Sequence, residues 1–434
     1  LVIDEAFDCW REGKNTYDYH LSFDDWWQRD IHSMVTRDRN HPSVIMWSIG
    51  NEVLERAGYS GGARIARELA DEVRTQDPSR PVTAAVNGSH GRWPWEKTDA
   101  IFDALDVAGY NYQMEQYIPD HTRTPSRIMY GSESTAGQAF EHWMAVLDHD
   151  YVIGDFVWTS LDYLGESGIG RVHYEDTNRM FLGEYPWHQA NCGDLDLCGF
   201  KRPQAYYRDI LWQSGEPLSI FVHEPVPEGQ TPHVTFWGWP NVAQNWTWPG
   251  YENQLFRVDV YAGSDCVSLY LNDDLIGSQP ATKAEKFIAS FEVPYTPGIL
   301  KAVAVKDGQP VASASLSTAG RPSGIKLAPD RAVLQAKPGA LSFVTVQVTD
   351  AQGNRHPNAG HRILFTVQGP GCLLAVGNSD PTSTEMYTGN QRSVYHGQCM
   401  VVVKSTGEAG TIILHAMSDG LDPAQVVIQV RNSG

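Results

Sequence analysis

Two apolar segments, each ending in a glutamate, limit most strongly what this chain can fold into. Val44-Ile45-Met46-Trp47-Ser48-Ile49-Gly50 is rich in β-branched and aromatic residues and stops abruptly at Asn51-Glu52. Such a run predicts a strand buried on both faces, as in parallel sheets. Arg127-Ile128-Met129-Tyr130-Gly131-Ser132-Glu133 has the same design. Because (β/α)8 enzymes hold catalytic groups at the carboxyl ends of barrel strands, we expect two glutamates on one barrel rim.

The purely structural alternative is that Asn51 and Glu52 are the N-cap and first turn of a helix. The second glutamate-ended segment argues against it, because two carboxyl groups on one rim are what a glycosidase requires. A glycosidase that retains anomeric configuration needs them roughly 5–5.5 Å apart, one acting as acid and the other as nucleophile. We expect the ionised Glu133 to raise the pKa of Glu52, so that Glu52 is protonated before the reaction.

Length and charge narrow the class of protein. A chain of 434 residues is too long for one domain, and two or three are expected. The net charge of −19 argues against nucleic acid and anionic membranes as partners. No segment is long and apolar enough to span a bilayer, so we expect no membrane insertion. The 6 cysteines lack the spacing of a metal site.

Residues 1–215 alternate between short apolar strands and helical patterns, which is typical of βα units. We predict a helix from Phe23 to Thr36 with Ser22 as its N-cap, and a second from Gly62 to Thr75. Predicted strands cover 1–5, 44–50, 82–87, 106–112, 128–132 and 153–159. A TIM barrel needs eight strands, so these would be strands 3–8. The chain opens inside a predicted strand, and we expect N-terminal domains of the same protein, on this or a separate chain, to supply the rest.

Alternating strands dominate after residue 215 and predict two β-sandwich domains of immunoglobulin-like type, at 216–320 and 321–434. The first set of predicted strands is 234–237, 256–261, 267–271 and 300–305. The second set is 340–348, 363–367, 400–404 and 411–415. Asn272-Asp273-Asp274 predicts a tight turn, and Trp246 and Trp248 are candidates for a sugar-binding surface.

The segment from Arg37 to Glu52 closely resembles the acid/base segment of family 2 glycoside hydrolases, especially β-galactosidases. The resemblance implies that Glu52 is the acid/base and that Asn51 hydrogen-bonds the sugar 2-hydroxyl. Tyr130-Gly131-Ser132-Glu133 is similar to the family's nucleophile motif, which makes Glu133 the nucleophile. The implied fold is a TIM barrel followed by β-sandwiches.

Further substrate contacts follow from the same resemblance. Gly154 to Glu166 resembles the family's last barrel strand, so Trp158 would form a platform under the sugar. Tyr112 is similar to the family's active-site tyrosine. Asp4 is a candidate sugar contact or a member of a structural network at the rim. Glu166 is a candidate substrate contact or half of a salt bridge.

Departures from the family pattern narrow the predicted chemistry. Phe7-Asp8-Cys9-Trp10 has no histidine where metal-dependent β-galactosidases carry a Glu-x-His pair, so we expect no metal and no other cofactor. The stretch from Asn191 to Asp196 lacks the lysine with which β-glucuronidases hold the sugar carboxylate, which favours a neutral sugar. Ile49-Gly50 disfavours a β-mannosidase.

These patterns predict a retaining exo-β-glycosidase, with a β-galactosidase favoured, whose partner is a β-linked galactose-containing oligosaccharide or glycan. β-Glucuronidase and β-mannosidase are the alternatives within the family. A non-catalytic carbohydrate-binding protein is the alternative from another class. We expect a periplasmic or extracellular bacterial protein, and the oligomeric state stays open, with a homo-oligomer among the options.

Overall fold

The computed structural model describes residues 1–89, 91–174 and 182–432. They divide into two compact units, Leu1–Trp158 and Thr159–Gly434. The predicted domain boundaries at 215/216 and 320/321 stay predictions. No helix in the described ranges is long and apolar enough to cross a membrane.

The first unit is built on one parallel sheet of six strands in sequential order. The strands are β1 (Val2–Glu5), β2 (Val44–Asn51), β3 (Val82–Asn87), β4 (Ala108–Asn111), β5 (Met129–Ser134) and β6 (Val152–Val157). Each strand pairs in parallel with the next, which is the arrangement of consecutive strands in a TIM barrel. The prediction of barrel strands is therefore confirmed, although β4 is shorter than the predicted 106–112.

Helices follow most of these strands. They are α1 (Phe23–Asp38), α2 (Gly62–Gln76), α3 (Asp99–Phe102), α4 (Tyr117–Arg123) and α5 (Ala139–Asp148). Short 3-10 turns lie at Tyr19–Leu21, Leu54–Ala57, Tyr59–Gly61, Trp95–Thr98, Met114–Gln116 and Ala136–Gln138. Ser22 does precede α1, but its side chain makes no capping hydrogen bond. Asp24 and Asp25 in the first turn instead complement the helix dipole.

Buried indole groups attach the second strand to its surroundings. Trp10 and Trp47 are fully buried in the apolar core of the first unit. The Nε1 of Trp10 donates to the Ile49 carbonyl oxygen at 2.9 Å. The Nε1 of Trp47 donates to Asp77 Oδ2 at 3.1 Å, just past the end of α2. Both tryptophans therefore satisfy their only polar atom while they pack against β2.

The second unit contains two β-sandwiches. Two four-stranded sheets form the first, and an apolar core between them includes Val222, Val258 and Leu269. A four-stranded and a five-stranded sheet form the second, packed around Val346, Phe365 and Leu414. The prediction of two β-sandwiches after the barrel strands is confirmed.

The strands of the first sandwich are β8 (Leu218–His223), β10 (Val242–Ala243), β11 (Leu255–Ala262), β12 (Ser264–Leu271), β13 (Asp274–Ala281), β14 (Ile288–Pro294), β15 (Ile299–Lys306) and β16 (Gln309–Ser317). Those of the second are β17 (Gly324–Pro329), β18 (Val333–Gln335), β19 (Leu341–Thr349), β20 (Arg362–Gln368), β21 (Gly371–Gly377), β22 (Gln391–Ser393), β23 (Gln398–Ser405), β24 (Gly410–Met417) and β25 (Ala424–Arg431). The unit also holds β7 (Val172–His173) paired with β9 (His233–Val234), helix α6 (Pro203–Trp212) and a 3-10 turn at Lys283–Glu285.

One prediction for the first sandwich was wrong. Residues 234–237 do not form a strand, because β9 ends at Val234 and the Gly238 N–H donates to the Thr235 carbonyl oxygen to close a turn. Trp246 is 1% exposed, and the Trp248 ring stacks on Phe256, so both tryptophans pack into the core. The predicted turn after β12 is confirmed: Asn272 and Asp273 both have positive φ, as a two-residue hairpin requires.

Candidate active site

The carboxyl ends of β2, β4 and β5 meet at one edge of the parallel sheet. Backbone hydrogen bonds tie the end of β2 to β3 and the end of β4 to β5, since the Glu52 N–H donates to Ala85 O and the Tyr112 N–H donates to Glu133 O, each at 2.8 Å. Glu52 and Tyr112 adopt left-handed conformations, with φ of 47° and 56°. Such conformations cost roughly 1–3 kcal/mol in non-glycine residues and concentrate at functional sites.

Asn111 connects the two polar residues at the end of β2. Its Nδ2 donates to Asn51 Oδ1 and to Glu52 Oε1, both at 3.0 Å. The Asn111 Oδ1 accepts a hydrogen bond from Ser132 Oγ at 2.6 Å, which sets the orientation of the amide. Asn111 is completely buried, so this network holds the Glu52 carboxyl group in a defined direction.

Glu133 is held by a different donor. The Tyr112 hydroxyl donates to its Oε2 at 2.6 Å. Burial and the charges of Glu52 and Glu5 raise the pKa of Glu133 to about 7, although hydrogen bonds from Tyr112 and Asn111 act to lower it. The two catalytic candidates are therefore close enough to influence each other's charge.

The raised pKa lies on Glu133, and this differs from the expectation that Glu133 is ionised and Glu52 protonated. Repulsion between like charges acts in both directions, so a coupled pair of carboxyl groups holds one proton over a range of pH. Tyr112 donates to Glu133, which favours its ionised form. Burial and the two neighbouring carboxyl groups outweigh this hydrogen bond, so Glu133 is partly protonated near neutral pH.

Other polar groups line the start of the sheet. The Ser48 hydroxyl donates to Glu5 Oε2 at 2.6 Å. Loss of hydration in the protein raises the pKa of Glu5. When it is ionised, its carboxylate adds negative charge near Glu52 and Glu133. Lys14 Nζ donates to Asp8 Oδ1 at 2.8 Å and to the Asn51 carbonyl oxygen at 3.0 Å. Asp8 also accepts from Asn51 Nδ2 at 3.3 Å.

The structure does not place Asp4 with the two glutamates. Its carboxyl group hydrogen-bonds Asp38 and lies 3.9 Å from Arg37, and burial together with Asp38 raises its pKa to about 6. Successive side chains of a strand point to opposite faces, so Glu5 rather than Asp4 is directed toward Ser48 and the catalytic candidates. The contacts favour the structural alternative that the sequence left open for Asp4.

Trp158 and Glu166 have less decisive surroundings. Trp158 directly follows β6, is half-buried, and its backbone N–H donates to Ser134 O at 2.8 Å. Glu166 belongs to the second unit, where its carboxylate accepts a hydrogen bond from the Tyr163 hydroxyl. The sugar platform at Trp158 and the substrate contact at Glu166 both stay predictions.

Sequence reasoning missed Asn111, Ser132, Asp8 and Lys14. Asn111 carried a usable signal, because it is a polar residue at the end of a buried strand, directly before Tyr112. Asp8 and Lys14 lie in an irregular segment without such a pattern. Within the described ranges, no three His, Cys, Asp or Glu side chains come together as a metal site.

Known protein families match several parts of the chain. The Glycosyl hydrolases family 2 TIM barrel domain matches residues 13–173, and the Glycoside hydrolase family 2 C-terminal domain 5 matches residues 325–427. Together they span more than half of the chain. The chain belongs to glycoside hydrolase family 2. Residues 253–312, within the first sandwich, match a domain of unknown function, DUF4982.

Several family 2 proteins are similar along nearly all of the chain. The β-galactosidase BoGH2A of Bacteroides ovatus is 31% identical over 99% of this chain and 54% of its own length. A putative β-glucuronidase of Formosa agariphila is 24% identical over 94% of this chain and 40% of its own length. A crystal structure of a family 2 member from Bacteroides cellulosilyticus has 42% identity and a TM-score of 0.91, over 99% of this chain and 55% of that one. The chain thus spans about half the length of these relatives.

Proposed function

We propose that the chain carries the catalytic groups of a retaining exo-β-glycosidase that removes terminal β-linked galactose. Glu133 is the nucleophile and Glu52 the acid/base in this proposal. The observation that carries it is the hydrogen-bonded rim, in which Asn111 holds Glu52 and Tyr112 holds Glu133. Electrostatic coupling between the two carboxyl groups supports their action as one unit.

The reaction divides into two displacements. The Glu133 carboxylate attacks the anomeric carbon while Glu52 gives its proton to the glycosidic oxygen, so the aglycone leaves as an alcohol and a glycosyl ester forms. Esterification removes the negative charge of Glu133, which allows Glu52 to ionise. Glu52 then takes a proton from water, whose oxygen attacks the anomeric carbon and releases Glu133 and the sugar.

Similarity to a β-galactosidase over nearly the whole chain supports galactose as the substrate sugar. The similarity to a putative β-glucuronidase makes β-glucuronides the leading alternative. The Asn191–Asp196 stretch lacks the lysine with which β-glucuronidases of the family hold the sugar carboxylate, which favours a neutral sugar. We further propose a periplasmic or extracellular location, with N-terminal domains completing the catalytic unit.

Hydrolysis of aryl β-galactoside, β-glucuronide, β-mannoside and β-glucoside by the natural protein tests the specificity. We expect turnover of the galactoside and a loss on the order of 10⁴-fold or more in kcat for Glu133→Gln. Glu96→Gln is the matched control, because Glu96 is an exposed glutamate of the same unit. Ordinary activity in Glu133→Gln would contradict the assignment.

Azide rescue tests which glutamate has which role. Azide replaces a missing carboxylate on the face of the sugar where that carboxylate acts. Glu133→Gly with azide should therefore yield the α-glycosyl azide, and Glu52→Gly with azide the β-glycosyl azide. The opposite pair of products would reverse the two roles.

A further inference from the structure

The second unit contains a cavity of about 830 Å³ that the proposed reaction does not use. All of its lining residues lie between Asp162 and Gln398, so they belong to this unit alone. The volume falls in the range of small-molecule sites, about 300–1,000 Å³. Segments around α6 and from both β-sandwiches contribute to its walls.

An acidic side chain in the wall lacks a partner. The backbone N–H of Glu224 donates to the Asn241 carbonyl oxygen at 3.0 Å, and both residues line the cavity. Burial raises the pKa of the Glu224 carboxyl group. Across the described residues, this carboxyl group makes neither a hydrogen bond nor an ion pair. The side chain is half-buried, so its carboxyl group has lost part of its hydration, which a hydrogen bond from a ligand hydroxyl would replace.

A basic side chain of the wall, Arg355, also lacks an ion-pair partner among the described residues. Arg355 donates from Nη1 to the His396 carbonyl oxygen at 3.0 Å. Burial lowers the pKa of its guanidinium group, and no carboxylate in the described part of the chain lies within ion-pairing distance. Since a guanidinium carries five N–H groups, Arg355 has donors left for a ligand.

The remaining charged groups of the wall are already engaged. Arg202 pairs with Asp162 at 2.9 Å, and Lys201 pairs with Asp209 at 2.6 Å. Asp196 accepts backbone N–H groups of Cys198 and Phe200. Asp380 Oδ1 accepts the backbone N–H and the hydroxyl of Thr382, each at 2.8 Å. Among the described wall residues, Glu224 is therefore the carboxyl group without a hydrogen bond, and Arg355 is the cation without an ion pair.

Neutral polar groups complete the lining. Gln204 is 2% exposed, and its Nε2 donates to Gly193 O at 2.6 Å, but its Oε1 has no partner among the described residues. His396 has a φ of 48° in the tight turn between Tyr395 and Gln398. Desolvation lowers the pKa of His396 to about 4, so its imidazole is neutral at pH 7 and can both donate and accept.

We propose that this cavity is a second carbohydrate-binding site, which takes a neutral oligosaccharide. Glu224 accepts hydrogen bonds from sugar hydroxyls, Arg355 donates to sugar oxygens, and Gln204 Oε1 accepts another hydroxyl. Hydroxyl groups both donate and accept hydrogen bonds, so they match a wall with unused donors and acceptors. A ligand with a single charge would instead attract either Glu224 or Arg355 and be repelled by the other. The rings of Trp239 and Tyr206 offer apolar area for sugar rings. This site does not depend on the proposed hydrolysis.

Calorimetric titration with a neutral β-galacto-oligosaccharide tests the proposal in the Glu133→Gln protein, where turnover is blocked. We expect two binding events, of which Glu224→Gln and Arg355→Met each weaken one by about tenfold, as for a lost hydrogen bond to a charged group. Glu228→Gln and Arg321→Met, at exposed positions, are the matched controls and should leave both events unchanged.

Several outcomes would overturn the proposal. They are no binding at all, affinities unchanged in both cavity variants, or binding only of an oligosaccharide that contains uronic acid. Thermal melting verifies that the variants fold. If Arg355→Met does not fold, Glu224→Gln tests the proposal by itself, because this substitution hardly changes the side-chain volume. In the catalytically intact protein, Glu224→Gln should hydrolyse a simple aryl β-galactoside at the normal rate. If the protein without substitutions hydrolysed none of the aryl glycosides but still bound the oligosaccharide in the cavity, the catalytic proposal alone would be rejected.

Discussion

At the residue scale, the charge of the candidate site depends on a few hydrogen bonds. Glu133 is half-buried near two other carboxyl groups, and these surroundings raise its pKa to about 7. The Tyr112 hydroxyl opposes that shift by donating to the carboxylate. Sequence reasoning identified both residues, but it could not assign the proton, because burial and neighbouring charges are properties of the folded chain.

The Glu133 pKa predicts how activity depends on pH. A nucleophile must be ionised, so kcat/KM should fall about tenfold for each pH unit below roughly 7. Tyr112→Phe removes a donor that lowers this pKa, and the acidic limb of the profile should therefore move to higher pH. Profiles with an aryl β-galactoside measure the shift, and Tyr59→Phe, at an exposed position, is the control. An acidic limb that stays in place or moves to lower pH would contradict this role for Tyr112.

At the element scale, close packing around the end of strand β2 positions Asn51 and Glu52. Gly50 directly precedes Asn51-Glu52, and a Cβ there would lie 2.9 Å from Trp10 Nε1 and 3.0 Å from Val53 Cγ1. The Trp10 indole is fully buried and bonded to the Ile49 carbonyl oxygen, so it has little room to move. The apolar pattern of β2 predicted the strand, whereas nothing in the pattern indicated that Trp10 lies against it.

Gly50→Ala should therefore disturb both stability and activity. We expect a loss of about 1–3 kcal/mol in the free energy of unfolding, as for an overpacked core, and a lower kcat because Glu52 is displaced. Urea denaturation and kinetics with an aryl β-galactoside measure the two effects. Gly154→Ala on β6 is the matched control, since a Cβ at Gly154 meets nothing within 4 Å. Equal losses of unfolding free energy and kcat in the two variants would show that contact with Trp10 does not restrict the size of the side chain at position 50.

At the scale of the whole molecule, each β-sandwich has its own apolar core. Phe365 on β20 is completely buried in the second sandwich, together with Val346, Val403 and Leu414. Phe343 on β19 of the same sandwich is 39% exposed. A chain with two compact units is expected to unfold in more than one step, so damage to this core should affect the transition of the second unit.

Calorimetry of Phe365→Ala tests this organisation. Removing a fully buried phenylalanine side chain should cost about 3–5 kcal/mol and lower the temperature of one unfolding transition. Phe343→Ala should have a much smaller effect, because its ring is already partly in water. A similar shift in both variants would mean that Phe365 is not a core residue.

Periodicity and family resemblance in the sequence determined the six parallel strands, the two β-sandwiches and the two glutamates at strand ends, whose catalytic pairing stays a prediction. These features could be predicted because they depend on local patterns of apolar residues and on motifs at strand ends. Only the tertiary structure decided that Asn111 holds Glu52, that Asp4 turns toward Arg37 and Asp38, and that Trp246 is buried. It alone brought Glu224 and Arg355 to one cavity. Contacts between residues distant in the chain set orientation, burial and pKa, and no local pattern encodes them.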